Sequence, residues 1–325
     1  MRPFTYDRAA TAEEAIRLHD GAETLYLGGG TNLVDLMRLG VARPARLIDV
    51  THLSGDLVED DGKGGLVIGA AVRNSDLAAD DDVRRRFPVL AQAVVAGASG
   101  QIRNQATVAG NLLQRTRCSY FQNITKPCNK RRPGSGCPAV EGEHHNHAIL
   151  GHSDACVATH PSDMAVALAA LGASIEIRDG DGERSVPFDD LYRLPGDDPS
   201  RDSTLKPGDL ITAVRVPALG MPSRYRKVRE RASFAFALVS IAAALDVVDG
   251  TVRDCRLALG GVAHMPWRAR RAEEHLRGRP ATEESFRDAA QEELAAARPL
   301  RDNAYKVPLT TNLIVRTFSQ LAEQP

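Results

Sequence analysis

Four of the five cysteines fall in one glycine- and proline-rich stretch: Cys118, Cys128, Cys137 and Cys156. Nine, eight and eighteen residues separate successive thiols. A segment this long with little hydrophobic periodicity is costly to order unless something ties its parts together. Four thiolates on one metal centre would do so, whether in an iron–sulfur cubane or a structural zinc site. Structural zinc sites pair their cysteines about two to four residues apart, and no such pair occurs here. Wide, irregular spacing suits a cubane, whose four irons each need a ligand from a different direction. Lys126, Lys130, Arg131 and Arg132 lie among the first three cysteines and can offset a cluster's negative charge. Amides at Gly134, Ser135 and Gly136 can donate to its sulfurs. Two alternatives stay open. One is a pair of disulfides in an oxidising compartment; the other is zinc held by some of these cysteines with His144, His145 or His147.

A second kind of chemistry is written in three short segments. Leu27-Gly28-Gly29-Gly30-Thr31-Asn32-Leu33 follows a strand pattern and opens a helix. Three glycines let backbone amides approach a diphosphate, and Thr31 and Asn32 can cap the helix or donate to phosphate. The spacing is not G-x-G-x-x-G, so a Rossmann NAD site is not expected. Ile102 to Leu112 has the same small and polar character, with Thr107, Gly110 and Asn111 in it. His160-Pro161-Ser162-Asp163 starts a helix directly after the last cysteine. Asp163 reads either as a helix N-terminal charge or as an acceptor for sugar hydroxyls. Each segment has a plain structural reading; together they point to a nucleotide. No nucleophile or acid–base pair stands out, so no catalytic residue is expected in this chain.

The elements around these segments alternate strand and helix at first. AEEAIRLHD reads as a helix, TLYLGGG as a strand entering the glycine turn, NLVDLMRLG as a helix and ARLIDVT as a strand. This is a small βαβ-like unit with a parallel pair. A buried strand GGLVIGAAV, helices over SDLAADDDVRRRF and PVLAQAVVAGAS, a helix stopped by Gly172, and strands SIEIRD and DLITAVRVP follow. Beyond a linker over 217–222 come antiparallel strands with one apolar, helix-like run between them, and then three helices. An α/β part to about residue 217 and a smaller α+β part after it are expected. At 325 residues, with 41 Lys and Arg against 42 Asp and Glu, the chain is nearly neutral. That argues against a general nucleic-acid or anionic-membrane binder. The N-terminus lacks the apolar core of a signal peptide, and no stretch reaches about 18 apolar residues, so no membrane span is expected. The chain therefore reads as cytoplasmic, with the periplasm reached only as a folded complex on a partner's signal.

Taken in order, GGGTN, IRNQATVAGN and HPSD resemble the flavin-binding subunit of the molybdenum hydroxylases, the xanthine dehydrogenase and carbon monoxide dehydrogenase family. RKVRERASFAFALVSIAAAL and LALGGVAHMPWRA are similar to that family's flavoprotein C-terminal domain. The cysteine insertion resembles the medium subunit of heterotrimeric bacterial aldehyde oxidoreductases. The resemblance implies a two-part FAD-binding domain of the PCMH type over 1–217, split into 1–55 and 56–217. The first part is a small βαβ unit and the second a larger mixed sheet with helices, carrying a 4Fe-4S insertion at about 115–158. A C-terminal domain of antiparallel sheet plus helices follows over 222–325. It implies FAD along Leu27, Gly28, Gly29, Gly30, Thr31, Asn32 and Leu33, with Thr107, Gly110 and Asn111 by the flavin and phosphates. Asp163 would hold ribose or ribityl hydroxyls, and Lys227 would approach the isoalloxazine; its plain reading is a solvated strand lysine. Cys118, Cys128, Cys137 and Cys156 would ligate the cluster, while Cys255 reads as a buried apolar residue. The implied partners are a small subunit with 2Fe-2S clusters, a large subunit with the molybdenum cofactor and an external electron acceptor. Oxygen, a quinone or an iron–sulfur carrier fits that acceptor better than NAD. Another molybdenum hydroxylase, such as xanthine dehydrogenase or a 4-hydroxybenzoyl-CoA reductase-like enzyme, is the alternative within the family. Rivals outside it are a self-sufficient flavin oxidase and a zinc-stapled binding protein.

Overall fold

The computed structural model describes residues 1–53 and 57–323. The expected boundary at 55/56 lies outside the described residues. The opening unit comprises β1 (Thr5–Arg8), α1 (Ala12–Leu18), β2 (Thr24–Leu27), α2 (Leu33–Arg38) and β3 (Arg46–Asp49). Its strands run β1-β3-β2 with both pairs parallel. β1 was not anticipated, because TYDR is mostly exposed and carries no apolar alternation. Thr11 caps α1 by accepting the Glu14 amide at 3.1 Å. The unit is too small to bury a core alone. Leu210 from the neighbouring sheet completes its cluster of Ala9, Ala15 and Ile48, and the Tyr26 hydroxyl donates to the Gly208 carbonyl at 2.9 Å.

The second unit begins with β4 (Val58–Asp60) and β5 (Leu66–Gly69), then α3 (Asn74–Ala79), α4 (Asp81–Arg86) and α5 (Pro88–Ala96). Three short helices follow: α6 (Gly100–Gln105), α7 (Val108–Leu112) and α8 (Ser119–Gln122). After the cysteine segment come α9 (Asp163–Leu171), β6 (Ser174–Asp179), β7 (Gly182–Pro187), α10 (Phe188–Leu191) and β8 (Leu210–Val216). The sheet order is β4-β5-β8-β6-β7, each neighbouring pair antiparallel. Parallel and antiparallel pairing are thus segregated into separate sheets. All nine residues of α9 are buried, as expected for a helix apolar on every side. Ser162 caps its start, and Gly172, at φ 65°, ends it in the left-handed region that suits glycine.

The third unit holds β9 (Ser223–Val228), β10 (Val239–Val248), β11 (Thr251–Gly260), β12 (Trp267–Arg268), α11 (Arg270–Leu276), α12 (Glu283–Leu294) and α13 (Lys306–Ala322). Its antiparallel sheet runs β12-β11-β10-β9. The helix-like apolar run is in fact β10. Val239, Ile241, Ala243 and Leu245 join the core beneath α11–α13, whereas Ala242 joins the core around α9. A strand buried on both faces loses the polar alternation that marks a half-exposed one. The face toward α9 is built small: a Cβ on Gly260 would stand 2.6 Å from Val166 Cγ2.

One buried ion pair locks this layer to its neighbour. Arg268 donates to both Glu273 carboxylate oxygens and to the carbonyls of Ala169 and Ala170 at the end of α9. The two side chains are only 6% and 2% exposed. Removing one partner strands the other charge without compensation. Glu273→Ala is expected to lower stability by about 3–5 kcal/mol in denaturant unfolding, whereas substituting the exposed partners Arg85 or Asp82 is expected to cost under about 1 kcal/mol.

Candidate functional site

The three small, polar segments converge. A Cβ on Gly29 would lie 1.9 Å from the Gln105 carbonyl, and one on Gly28 would lie 2.8 Å from Thr107 Oγ1. The glycine turn therefore rests directly on 105–107, and only glycine permits that approach. Thr107 caps α7 by accepting the Gly110 amide at 3.2 Å. Asn111, one residue on, accepts the Ser162 hydroxyl at 2.6 Å, and Ser162 caps α9 through the Ala165 amide at 3.0 Å. Leu27 to Leu33 all remain partly accessible along this seam. Asn32 does not cap α2 with its side chain. Its Oδ1 instead accepts the Arg115 amide at 2.8 Å, tying the turn to the head of the cysteine insertion. Asn32 Nδ2 is buried with no partner.

Asp163 and Lys227 meet although they are 64 residues apart: Nζ lies 2.7 Å from Oδ2, and both side chains are buried. The alternative of a solvated strand lysine is thereby corrected; antiparallel pairing of β9 with β10 carries Lys227 inward. The same ammonium donates to the Ala96 carbonyl at 3.0 Å. Tyr225, two residues earlier and so on the same strand face, donates its hydroxyl to Asp163 Oδ1. Burial raises the Asp163 carboxyl above its ordinary value, and the Lys227 ammonium opposes that rise. Tyr225 was not anticipated, though the period-two spacing from Lys227 was its signal.

All four insertion cysteines line one cavity, with Lys130 and His147 beside them. None of the five cysteines is in a disulfide, so the paired-disulfide arrangement is not the one adopted. Among the described residues no group of three or more His, Cys, Asp or Glu is set to hold a single metal ion. The segment is ordered by its own polar groups rather than by regular elements. Cys128 N donates to Ser135 Oγ at 3.0 Å, Asn129 N to the Gly136 carbonyl at 2.9 Å, and Gly136 N to Asn129 Oδ1 at 2.7 Å. Arg131 binds the carbonyls of Tyr120, Phe121 and Lys126. The amides of Ser135 and Gly136 are thus spent inside the loop, contrary to the expectation that they reach sulfur. Nor do the cations behave as a group: Lys126 is exposed, and Arg131 folds the loop. Lys130 is buried and reaches Asp202, the Pro199 carbonyl at 3.0 Å and His264 Nε2 at 2.8 Å. Burial alone would raise Asp202, but the His264 ring beside it and the charges of Arg115 and Lys130 hold it far below the carboxylate range.

Of the three histidines considered for zinc, His144 is occupied on both ring nitrogens, by the Ala139 carbonyl and the Asp302 amide. His145 stacks on Tyr305 at 4.6 Å between ring centroids. Only His147 reaches the cavity, with Nε2 3.2 Å from Cys118 Sγ; burial lowers its pKa to about 4. His160, half-buried, accepts the Ser162 amide on Nδ1, which leaves the ring hydrogen on Nε2, and that buried atom has no partner. Its ring meets Tyr192 edge-on at 4.7 Å, beside a cleft of about 250 Å³ that also takes in Leu112, Arg115 and Asp202.

The thiols differ sharply. Burial pushes Cys118 up to about 11, against the pull of the Phe121 and Tyr120 amides. Cys137 is held down at about 6, first by the Cys156 thiol and then, against burial, by the amides of Val157, Ala139 and Val140. Cys255 lies inside the C-terminal core, as expected, and burial raises it to about 12. A thiol with a lowered pKa is thiolate at neutral pH, and the thiolate is the reactive form. In metal-free chain at pH 7, iodoacetamide is expected to modify Cys137 before Cys118 or Cys255, with peptide mass spectrometry as the readout. That preference should fade as the pH falls below about 6.

Comparison with known proteins accords with this geometry. Residues 2–219 match the FAD-binding domain of molybdopterin dehydrogenases, and 223–321 match the C-terminal domain of CO dehydrogenase flavoproteins. The chain is 48% identical to the aldehyde oxidoreductase FAD-binding subunit PaoB of Escherichia coli K12, with all of both chains covered. It is 27% identical to the glyceraldehyde dehydrogenase medium chain of Sulfolobus acidocaldarius, over 98% of each. The fold matches that of a reconstituted CO dehydrogenase from Oligotropha carboxidovorans at a TM-score of 0.78 and 22% identity, over 100% of each chain. This chain belongs to the family of FAD-binding subunits of the molybdenum hydroxylases, oxidoreductases of the xanthine dehydrogenase and CO dehydrogenase type.

Proposed function

We propose that this chain is the FAD- and 4Fe-4S-carrying electron-transfer subunit of a molybdenum-dependent aldehyde oxidoreductase. It works between a small 2Fe-2S subunit, beside a large subunit that holds the molybdenum cofactor and oxidises the aldehyde, and an external electron acceptor. The aldehyde assignment rests on the full-length similarity to an aldehyde oxidoreductase subunit. One structural observation carries the two-cofactor reading. The side chain that ends the glycine turn, Asn32, accepts the Arg115 amide, and Arg115 begins the segment whose four cysteines line one cavity.

The residues present suit both groups. For FAD, Leu27 to Leu33 would follow the diphosphate, with the unpartnered Asn32 Nδ2 as a donor toward it. Thr107, Gly110 and Asn111 would lie by the flavin and phosphates. Asp163 uses one direction on each oxygen for Tyr225 and Lys227, and a carboxylate has further lone pairs for sugar hydroxyls. Lys227 uses two of its three hydrogens and would turn the third to the isoalloxazine. For the cluster, Cys118, Cys128, Cys137 and Cys156 supply four thiolates to four separate irons. When bound, the flavin and the cluster supply the redox chemistry, and the protein orients and tunes them. Acid–base catalysis is not asked of this chain.

Subunit resolved from its native complex under anaerobic conditions is expected to contain one FAD and four irons. Cys128→Ser should lose iron yet keep its flavin, and Gly29→Ala should weaken FAD binding at least about tenfold, equivalent to ~1.4 kcal/mol, yet keep its iron. Chain bearing zinc, or bearing neither group, would contradict the proposal.

A further inference from the structure

We infer that His147 acts on the cluster without ligating it: its Nε2–H donates to the Cys118 sulfur and raises the cluster's reduction potential. The inference rests on the cluster reading above. Nε2 stands 3.2 Å from Cys118 Sγ, and the ring lines the same cavity as the four cysteines. Its other nitrogen, Nδ1, is buried without a partner. That asymmetry chooses the tautomer. A hydrogen on Nδ1 would be an orphaned buried donor, and Nε2 would then need a hydrogen that an iron-bound Cys118 no longer has. With the hydrogen on Nε2, the sulfur accepts it and only one lone pair is left unmet, the lesser cost. A donor aimed at a ligating sulfur favours the more electron-rich, reduced cluster and so raises its potential.

The C-terminal domain holds this histidine in place at some cost to itself. Lys306, in the first turn of α13, has no exposure and donates to the His147 carbonyl at 3.0 Å and the Gly261 carbonyl at 2.6 Å. Among the described residues it has no carboxylate partner. Burial lowers the Lys306 pKa to about 7, and its two hydrogen bonds to carbonyls fix the His147 backbone. Asn303, also without exposure, adds a second donor to the same carbonyl at 3.2 Å and one to Ala148 at 3.2 Å. The next amide, Ala148 N, donates to the Val157 carbonyl at 2.9 Å, beside Cys156. His147 is therefore a positioning residue, clamped from the neighbouring domain.

The test uses the assembled complex. In a potentiometric titration followed by EPR, His147→Leu is expected to keep four irons per chain and shift the cluster's midpoint downward, so that less than half is reduced at the wild-type midpoint. His147→Gln, which restores an N–H, should recover part of the shift. Pulsed EPR of the reduced wild-type cluster with ¹⁵N-histidine should detect one weakly coupled nitrogen, absent from both variants. An unchanged midpoint in His147→Leu with full iron would overturn the inference. So would a strongly coupled nitrogen together with a cluster that survives Cys118→Ser, which would make His147 a ligand. If His147→Leu fails to assemble, the glutamine variant and the wild-type nitrogen coupling decide the matter. Wild-type complex without iron in this chain would instead sink the cluster reading itself, as metal analysis would show directly.

Discussion

A buried carboxylate paired with a buried ammonium, Asp163 with Lys227, is the constraint on which the architecture turns. Neither charge is tolerable in the interior alone: losing one partner costs several kcal/mol. The pair therefore fixes the start of α9 against β9 of the C-terminal domain. Arg268, from β12 of the same domain, fixes the other end of α9 through two terminal carbonyls. With both ends held, Ser162 meets Asn111, and the segment carrying Thr107 meets the glycine turn. The seam where three distant segments converge is thus set by charges belonging to the other domain.

The cysteine insertion obeys the same logic with different means. Apart from the four-residue α8 it has little regular structure, and its shape comes from short polar contacts such as those of Arg131 and Asn129. Its ends are fastened outward. Asn32 takes the Arg115 amide at one end, while Ile149 and Leu150 donate to the Val262 carbonyl at the other. A loop tied to both domains loses entropy once, on folding, and its sulfurs are then pre-positioned. Lys130 joins the loop to Asp202 and His264, so the cavity and the adjoining cleft share one charged network. A cofactor in either place would feel the same buried charges.

Much of this was legible in the residues. The three motifs and the four cysteines announced themselves by type and spacing, and the Gly172 stop and the antiparallel C-terminal sheet followed from local rules. What misled was burial on both faces: β10 reads as a helix because packing against α9 and α13 goes with an apolar run, Ile241 to Leu245, that lacks the alternation of a half-exposed strand. What stayed hidden was long-range pairing. Lys227 kept a surface-lysine alternative in the sequence, and only the sheet register turned it toward Asp163. The loop amides at Ser135 and Gly136 looked free for sulfur until Arg132 and Asn129 claimed them. His147 entered only as one of three clustered histidines, and nothing local separated it from His144 or His145.

On the function proposed above, one polypeptide carries an organic and an inorganic electron carrier on a shared, charge-locked framework. Diffraction from crystals of the native complex, collected on both sides of the iron and zinc absorption edges, tests it most directly. The expected result is a compact four-iron anomalous peak bounded by Cys118, Cys128, Cys137 and Cys156, and flavin density running from the glycine turn toward Lys227. A zinc peak there, S–S density between the cysteines, or an empty seam along Leu27 to Leu33 would contradict it.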